Sequence, residues 1–460
     1  MPPGGSLASG RQEVQSGRGT GSLYTDHSSP FGSGPLASAR GSGTASLLVC
    51  DLTQSYSPNG GGGISTYLRQ KRAYVLEHTG HRLLQIVPGA EDRVLEDGRY
   101  IRVEVGADPV RGSPNYRFIL RTGKVREVLA RFRPDIVESL CPWILPWTAI
   151  NHRRAFPATA LVAGYRTDFP NAHVYRVGRD KFGKTAARAL RWLAMGYAEI
   201  TYREFDRIYT LGESRRQMMA GMGIGQVDVL DLGVDLAVFD PVRRDHNLRR
   251  ELGLVGEGPL LVYAGRIDNE KRADRLIELM RRLPPQLGAS LLLIGDGKLR
   301  RRLEAEAAAL PVVFAGFQSD REQLARALAS SDIYVSAMAD ETFGISIIEA
   351  QASGLPIVGV ASGAMPDRVP EGLGLLGPVD DIAAMAANVC RVWQTGARAM
   401  GRRNHAHVTD RYSWERTFSD LVGRIYPAAL HSVGLRMSGR FAGAIASMDE
   451  RDGEAGYPAE

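Results

Sequence analysis

The chain has 460 residues, of which 44% are hydrophobic and 23% charged, and its formal net charge is +6. This is a globular composition with length for two or three domains. The scattered basic residues, with no aromatic-rich basic module among them, argue against nucleic acid as a partner, while the mild positive balance suits an anionic ligand or membrane surface. The three cysteines, Cys50, Cys141 and Cys390, lie far apart without metal-ligand spacing and suit a reducing compartment. No run is long and apolar enough to span a bilayer, and no apolar leader follows Met1. A cytoplasmic protein is expected, with any membrane contact peripheral, at the inner face.

Residues 1–44 are rich in Gly and Ser and poor in aliphatics, which predicts a disordered tail. Order begins with the apolar run of residues 45–51. Strand-like runs at 82–87, 135–138, 158–163 and 207–211 then alternate with helix-like segments such as Ile64 to Glu77 and Arg126 to Phe132. Strict alternation predicts a doubly wound parallel α/β sheet, which places a first Rossmann-like domain over 45–240. Residues 236–257 read as a connection. Alternation resumes at 259–264 and continues through 290–294, 312–314, 333–335 and 356–360, giving a second domain over 241–411. Residues 412–430 have helical periodicity, with Ser413 as a cap, and 431–460 read as a second disordered tail. Ligands of such sheets bind beyond the carboxyl ends of the strands, so two of them face to face make a cleft.

Four stretches carry chemistry. In Ala339-Asp340-Glu341-Thr342-Phe343-Gly344-Ile345-Ser346-Ile347-Ile348-Glu349, a strand ends in a Gly turn that opens a helix. Such a turn points free backbone N–H groups at whatever sits there, which favours an anion. Glu341 and Glu349 stand eight positions apart, and eight helical residues rise roughly 12 Å. That spacing lets one carboxylate meet the sugar of a nucleotide-sugar and the other its ribose, with the phosphates between. The other reading is an acid that complements a helix dipole and a surface Glu349, yet the helix is mostly apolar, where an unpartnered carboxylate is costly. In Gly265-Arg266-Ile267-Asp268-Asn269-Glu270-Lys271, Arg266 and Lys271 can flank one anion, or simply make a solvated charged turn. Gly60 to Gly63, Gly61 and Gly62 among them, follow the first strand and open a helix. They allow close approach to a phosphate, or form a floppy loop, and match neither a dinucleotide fingerprint nor a P-loop. The tight turn at Gly295 offers a floor for a base. Opposite, Tyr165, Arg166, Thr167 and Asp168 would line the far wall of the cleft, with His173 close behind. No Asp-x-Asp pair or His/Cys cluster stands ready for a metal, and no cofactor is implied.

Together these residues resemble the retaining glycosyltransferases of the GT-B fold, family four (glycosyl transferases group 1), in a mannosyltransferase-like branch. Glu341 to Glu349 fits the Glu-x7-Glu motif, and Gly265 to Arg272 the Gly-Arg-Leu-x-x-Glu-Lys-Gly motif, with Ile267 for Leu and Arg272 for the last Gly. Asp231 to Asp235 fits Pro-Asn-Gly-Val-Asp in its second half only, and Tyr412 to Glu415 fits the start of the final helix, which in the family crosses back to the N-terminal domain. The resemblance implies that Arg266 and Lys271 hold the donor diphosphate and that Glu341 contacts hydroxyls of the transferred sugar. It further implies that Phe343, Gly344 and Ile345 contact sugar and phosphate through their N–H groups, that Glu349 bonds the ribose, and that the Gly60–Gly63 loop faces the phosphates from the acceptor-side domain. Where branch members often carry His, this chain carries Arg166.

The function so implied is metal-independent transfer of a hexose from a nucleoside diphosphate sugar, GDP-mannose or a UDP-sugar, to the hydroxyl of a sugar or lipid-linked acceptor. The alternatives are a nucleotide-sugar epimerase of the same shape and a non-catalytic nucleotide-sugar-binding protein. The basic segment Arg179 to Arg191, with Phe182, Leu190 and Trp192, is either a site for anionic lipid or an ordinary solvated amphipathic helix.

Overall fold

The computed structural model describes residues 46–56, 63–110, 113–254 and 256–438. The first half supplies β1 (Leu48–Leu52), β2 (Ser55–Tyr56), β3 (Arg82–Gly89), β4 (Arg93–Asp97), β5 (Tyr100–Gly106), β6 (Pro109–Val110), β7 (Ser113–Phe118), β8 (Ile136–Ser139), β9 (Ala160–Tyr165), β10 (Arg207–Thr210) and β11 (Val227–Val229). The second half supplies β12 (Leu260–Ala264), β13 (Ser290–Ile294), β14 (Val312–Gly316), β15 (Ile333–Val335), β16 (Ile357–Val360) and β17 (Gly374–Gly377). Eight strands form a sheet in the order β11-β10-β9-β8-β1-β3-β5-β4, and six form a wholly parallel sheet in the order β14-β13-β12-β15-β16-β17. Strands β1, β8, β9, β12 and β13 are buried along their whole length. Parallel strands covered by helices on both faces need such unbroken apolar runs, which is why they stand out in the sequence.

Strict alternation fails in one place. Between β3 and the helix Thr122–Phe132 the chain makes a hairpin instead of a crossover. Strand β4 runs antiparallel to β5 at the sheet edge, and β2, β7 and β6 form a small antiparallel sheet. Edge strand β4 exposes Arg93, Glu96 and Asp97 to solvent, so no apolar run marks it. The tail expected from residue 431 is also corrected. Helix continues over 426–438, where Val433 is buried and Arg436 pairs with the buried Asp206 just before β10.

The C-terminal segment joins the two halves. Val234 bridges Ser413, whose Oγ accepts the Arg416 N–H at 3.0 Å and so caps the helix Trp414–Asp420. Phe418 of that helix packs 5.2 Å from the ring of Tyr67 and 5.7 Å from that of Tyr74, both on the helix Gly63–His78. Beneath lies a fully buried ionic knot. Lys71 bonds Asp51 and, at 2.6 Å, Glu138. Glu138 also accepts hydroxyls from Tyr67 at 2.7 Å, Tyr209 at 2.6 Å, and Tyr426. Burial lifts the Asp51 carboxyl to about 6, against the opposing pull of Lys71.

Candidate functional site

In the second sheet β13 and β14 lie on one side of β12, and β15, β16 and β17 on the other. The strand order therefore reverses between β12 and β15, and loops leaving their carboxyl ends open a crevice. The loop after β12 carries Gly265, Arg266 and Lys271, and the loop after β15 carries Glu341. The fold thus brings together residues that lie seventy positions apart in sequence.

Lys271 Nζ stands 3.0 Å from Glu341 Oε2. The other oxygen of Glu341 accepts the backbone N–H of Thr342 at 3.2 Å and of Gly344 at 3.1 Å. Gly344 opens the helix Ile345–Ala352 with φ 79°, and a Cβ there would stand 2.6 Å from Ile347 Cδ1, so both conformation and space call for glycine. The amide end of this helix thus holds a carboxylate, as its partial positive charge favours. Phe343 is buried and Ile345 is 38% exposed.

Arg266 pairs with Asp268 and, at 2.9 Å, with Glu270. The second oxygen of Asp268 accepts the backbone N–H of Lys271 at 2.9 Å, so one carboxylate ties the Arg266 side chain to the Lys271 backbone. Glu270 also binds Arg176 at 2.9 Å, and Arg176 belongs to the helical segment that follows β9. The Arg266 loop is therefore linked to the opposite half of the molecule. Gly295 explains the loop's position. It has φ 147°, and a Cβ there would stand 1.9 Å from the Gly265 carbonyl oxygen, so the two turns cross backbone to backbone. Beyond it a hollow of about 500 Å³ is lined by Asp296, Gly297, Lys298 and Arg301.

Glu349 is buried, and its Oε1 receives Arg321 at 3.0 Å. Burial pushes its carboxyl above the ordinary value, with Arg321 pulling the other way. Arg321 itself lies 4.9 Å over the Phe239 ring.

On the far wall, Asp168 is buried. It bonds Arg215 at 2.6 Å, Asn171 at 2.8 Å and the Tyr165 hydroxyl at 3.3 Å. Tyr165 and Asp168 thus hold the loop together from inside, and Thr167 is half-buried. Arg166 is buried 4.2 Å over the Tyr67 ring, its Nη1 without a hydrogen-bond partner. His173 packs its ring 5.7 Å from Trp143. Burial, then Arg176, lower its pKa. Of the glycine loop, Gly63 is the first residue of its helix, while Gly61 and Gly62 lie outside the described residues. Among the described residues no cluster of three His, Cys, Asp or Glu side chains is placed to hold a metal, and no helix is long and apolar enough to cross a membrane.

Residues 61–238 match the family model described as Glycosyltransferase Family 4, and residues 245–404 the one described as Glycosyl transferases group 1. A GDP-mannose-dependent alpha-mannosyltransferase of Mycobacterium tuberculosis (strain CDC 1551 / Oshkosh) is 32% identical over 73% of this chain and 85% of its own length. The chain belongs to the group 1, family 4 glycosyltransferases. It is also 28% identical, over 82% of the chain and 96% of the relative, to the GDP-mannose-dependent alpha-(1-6)-phosphatidylinositol dimannoside mannosyltransferase of Mycobacterium tuberculosis (strain ATCC 25177 / H37Ra). Among solved structures, the sucrose-phosphate synthase of Thermosynechococcus elongatus aligns at TM-score 0.63 and 19% identity, covering 87% of this chain and all of the other. The fold is GT-B, two Rossmann-like α/β domains, and the protein is a glycosyltransferase that uses a nucleotide sugar.

This glycosyltransferase has a residue at its centre that the sequence did not advertise. Arg368 is buried. Its Nε donates to the Phe343 carbonyl at 3.0 Å, and its Nη1 donates to Asp231 and to the Tyr412 hydroxyl, each at 3.0 Å. It also donates to the Leu211 carbonyl after β10. One guanidinium thus ties the Glu341–Gly344 loop to the first sheet and to the C-terminal segment. It also accounts for Asp231, the point where the chain leaves the Pro-Asn-Gly-Val-Asp pattern: the carboxylate is the counter-ion of Arg368 and, at 2.7 Å, of Arg411. Arg321 and Arg176 were missed for the same reason. Each lies far in sequence from the carboxylate it serves.

Proposed function

We propose that the protein transfers mannose from GDP-mannose to a hydroxyl of a lipid- or glycan-linked acceptor, with retention of anomeric configuration. The observation that carries this reading is the contact of Lys271 with Glu341 at the amide end of the helix Ile345–Ala352. A cation for the leaving diphosphate and a carboxylate for sugar hydroxyls meet at one anion-favouring helix end. The mannose and the guanine base rest on the named activities of the relatives.

On this reading the donor diphosphate competes for cations already held by carboxylates. Its phosphates draw Lys271 from Glu341 and Arg266 from Asp268 and Glu270. Glu341, released, turns to the sugar hydroxyls, and the Gly344 and Ile345 amides face the phosphate. Glu349 accepts from the ribose. As the anomeric C–O bond breaks, negative charge gathers on the diphosphate, where Arg266, Lys271 and the amides lower its energy. The acceptor oxygen attacks from the face the phosphate leaves, and a phosphate oxygen takes the hydroxyl proton. Atoms and charge balance without a protein nucleophile. Closure of the cleft excludes water, which would otherwise compete as acceptor.

The test is a thermal-shift panel of GDP, UDP and ADP sugars, followed by transfer of labelled sugar. GDP-mannose is expected to raise the melting temperature most, since a ligand of the native state alone must stabilise it. A shift with UDP sugars only would overturn the donor assignment. Release of free mannose independent of any acceptor would overturn transfer.

A further inference from the structure

The transfer proposed above makes no use of Arg166. This residue is only 8% exposed, and its Nη1 has no hydrogen-bond partner. The carboxylates around it are engaged elsewhere. Asp168, two residues on, pairs with Arg215 at 2.6 Å. Glu138, which accepts the hydroxyl of the ring beneath Arg166, pairs with Lys71 at 2.6 Å. Neither forms an ion pair with Arg166. Its stack on Tyr67, at 4.2 Å, offsets only part of the cost of taking a guanidinium out of water.

The position of this charge in the fold indicates what completes it. Arg166 leaves the carboxyl end of β9, and Tyr67 lies on the helix Gly63–His78 that follows β1 and β2. Strand β8 lies between β9 and β1, so the side chain spans the carboxyl end of β8. Strands β8 to β11 lie on one side of β1, and β3, β5 and β4 on the other. The strand order therefore reverses between β1 and β8, where a doubly wound sheet opens its crevice. Tyr67 is the fifth residue of its sixteen-residue helix, whose first turn holds no acid, so Arg166 stands beside an amide end that also favours an anion.

We propose that Arg166 receives an oxyanion, a phosphate or a carboxylate, borne by the acceptor, and that the enzyme thereby selects acidic acceptors over neutral ones. The inference rests on the transfer reading above. The anion is assigned to the acceptor because the donor diphosphate has cations of its own, Arg266 and Lys271, on the second domain. The planar fork of Arg matches two oxygens of one phosphate or carboxylate.

The test compares the full wild-type chain with R166M and R166K. Met covers Tyr67 without a charge. In phosphate-free buffer R166M is expected to melt no lower than wild type, because an unpaired buried charge weakens a fold. A melting temperature several degrees lower makes Arg166 a structural stack and overturns the proposal. With GDP saturating, so that the donor site is filled, inorganic phosphate or acetate is expected to raise the melting temperature of wild type and not of R166M. Equal shifts in the two proteins, or no shift of wild type with either anion, overturn it. So does weaker GDP binding by R166M, since Arg166 then serves the donor. Transfer is then measured to methyl mannoside, its 6-phosphate and the corresponding uronate. Wild type should favour an acidic acceptor at least about tenfold in kcat/KM, through acceptor KM, a preference lost in R166M and partly kept in R166K. No preference in wild type, or the same preference in R166M, contradicts the assignment. Phosphate bound through Arg166 without transfer to any acceptor sinks the function, whereas transfer without such binding sinks this inference alone.

Discussion

Arg368 offers the sharpest quantitative test of how the two halves are joined. Arg368→Ala removes a buried guanidinium that serves Asp231, Tyr412, Phe343 and Leu211. Breaking a buried ion pair by deleting one partner costs about 3 to 5 kcal/mol. The lower end applies here, because Asp231 is 17% exposed and keeps Arg411 at 2.7 Å. A loss of about 3 kcal/mol changes the folding equilibrium by more than a hundredfold. It should lower the melting temperature by roughly 3 to 5 °C. The kinetic signature separates this from simple destabilisation. With the Phe343 carbonyl released, the Glu341–Gly344 loop loses its tether, so donor KM should rise well below the melting temperature. Arg368→Lys keeps the charge but reaches fewer acceptors, and should fall between. Melting curves and donor kinetics on the three proteins decide the matter. Wild-type melting and wild-type KM in Arg368→Ala would refute the reasoning.

Two further substitutions follow from buried charge. Burial raises the Glu349 pKa, so the folded state holds that proton to a higher pH than the unfolded chain does. Ionised Glu349 therefore weakens the fold, a cost that grows as pH rises through the folded pKa. Glu349→Gln is expected to melt higher than wild type at neutral pH yet to bind donor more weakly, as read by melting curves and titration with GDP; a lower melting temperature would contradict this. Lys71→Met leaves Asp51 and Glu138 buried without their cation. A cost of about 3 to 5 kcal/mol is expected at neutral pH. Protonation of Asp51, whose pKa is near 6, should relieve part of it, so the variant's deficit should shrink in melting curves run at mildly acidic pH. A deficit that grows on acidification would refute the assignment.

What could be read from the sequence follows from what burial does to it. Strands such as β12 and β13, covered on both faces, must be apolar throughout, and a sheet built of them announces itself. Edge strand β4 is wetted and charged, so its hairpin was invisible to the same reading. Glu349 was legible because an acid in an apolar helix demands a partner, and Glu341 because it stands just before the Gly turn that opens that helix. The partners themselves were not. Arg321 lies 28 positions from Glu349, and Arg368 lies 137 from Asp231. Only folding brings such pairs together, and no local pattern distinguishes a buried arginine from the exposed ones around it. Asp231 read as an eroded motif because its counter-ion was out of sight.

The central claim is that Arg266, Lys271 and the Gly344 end of the helix receive the charge of a departing nucleoside diphosphate. Its most direct test is a crystal structure of the protein with GDP-mannose. The account predicts diphosphate oxygens within hydrogen-bond reach of Arg266, Lys271 and the Gly344 amide, Lys271 drawn off Glu341, and the ribose on Glu349. A diphosphate bound away from β12 and β15, with the Lys271–Glu341 pair undisturbed, would contradict it.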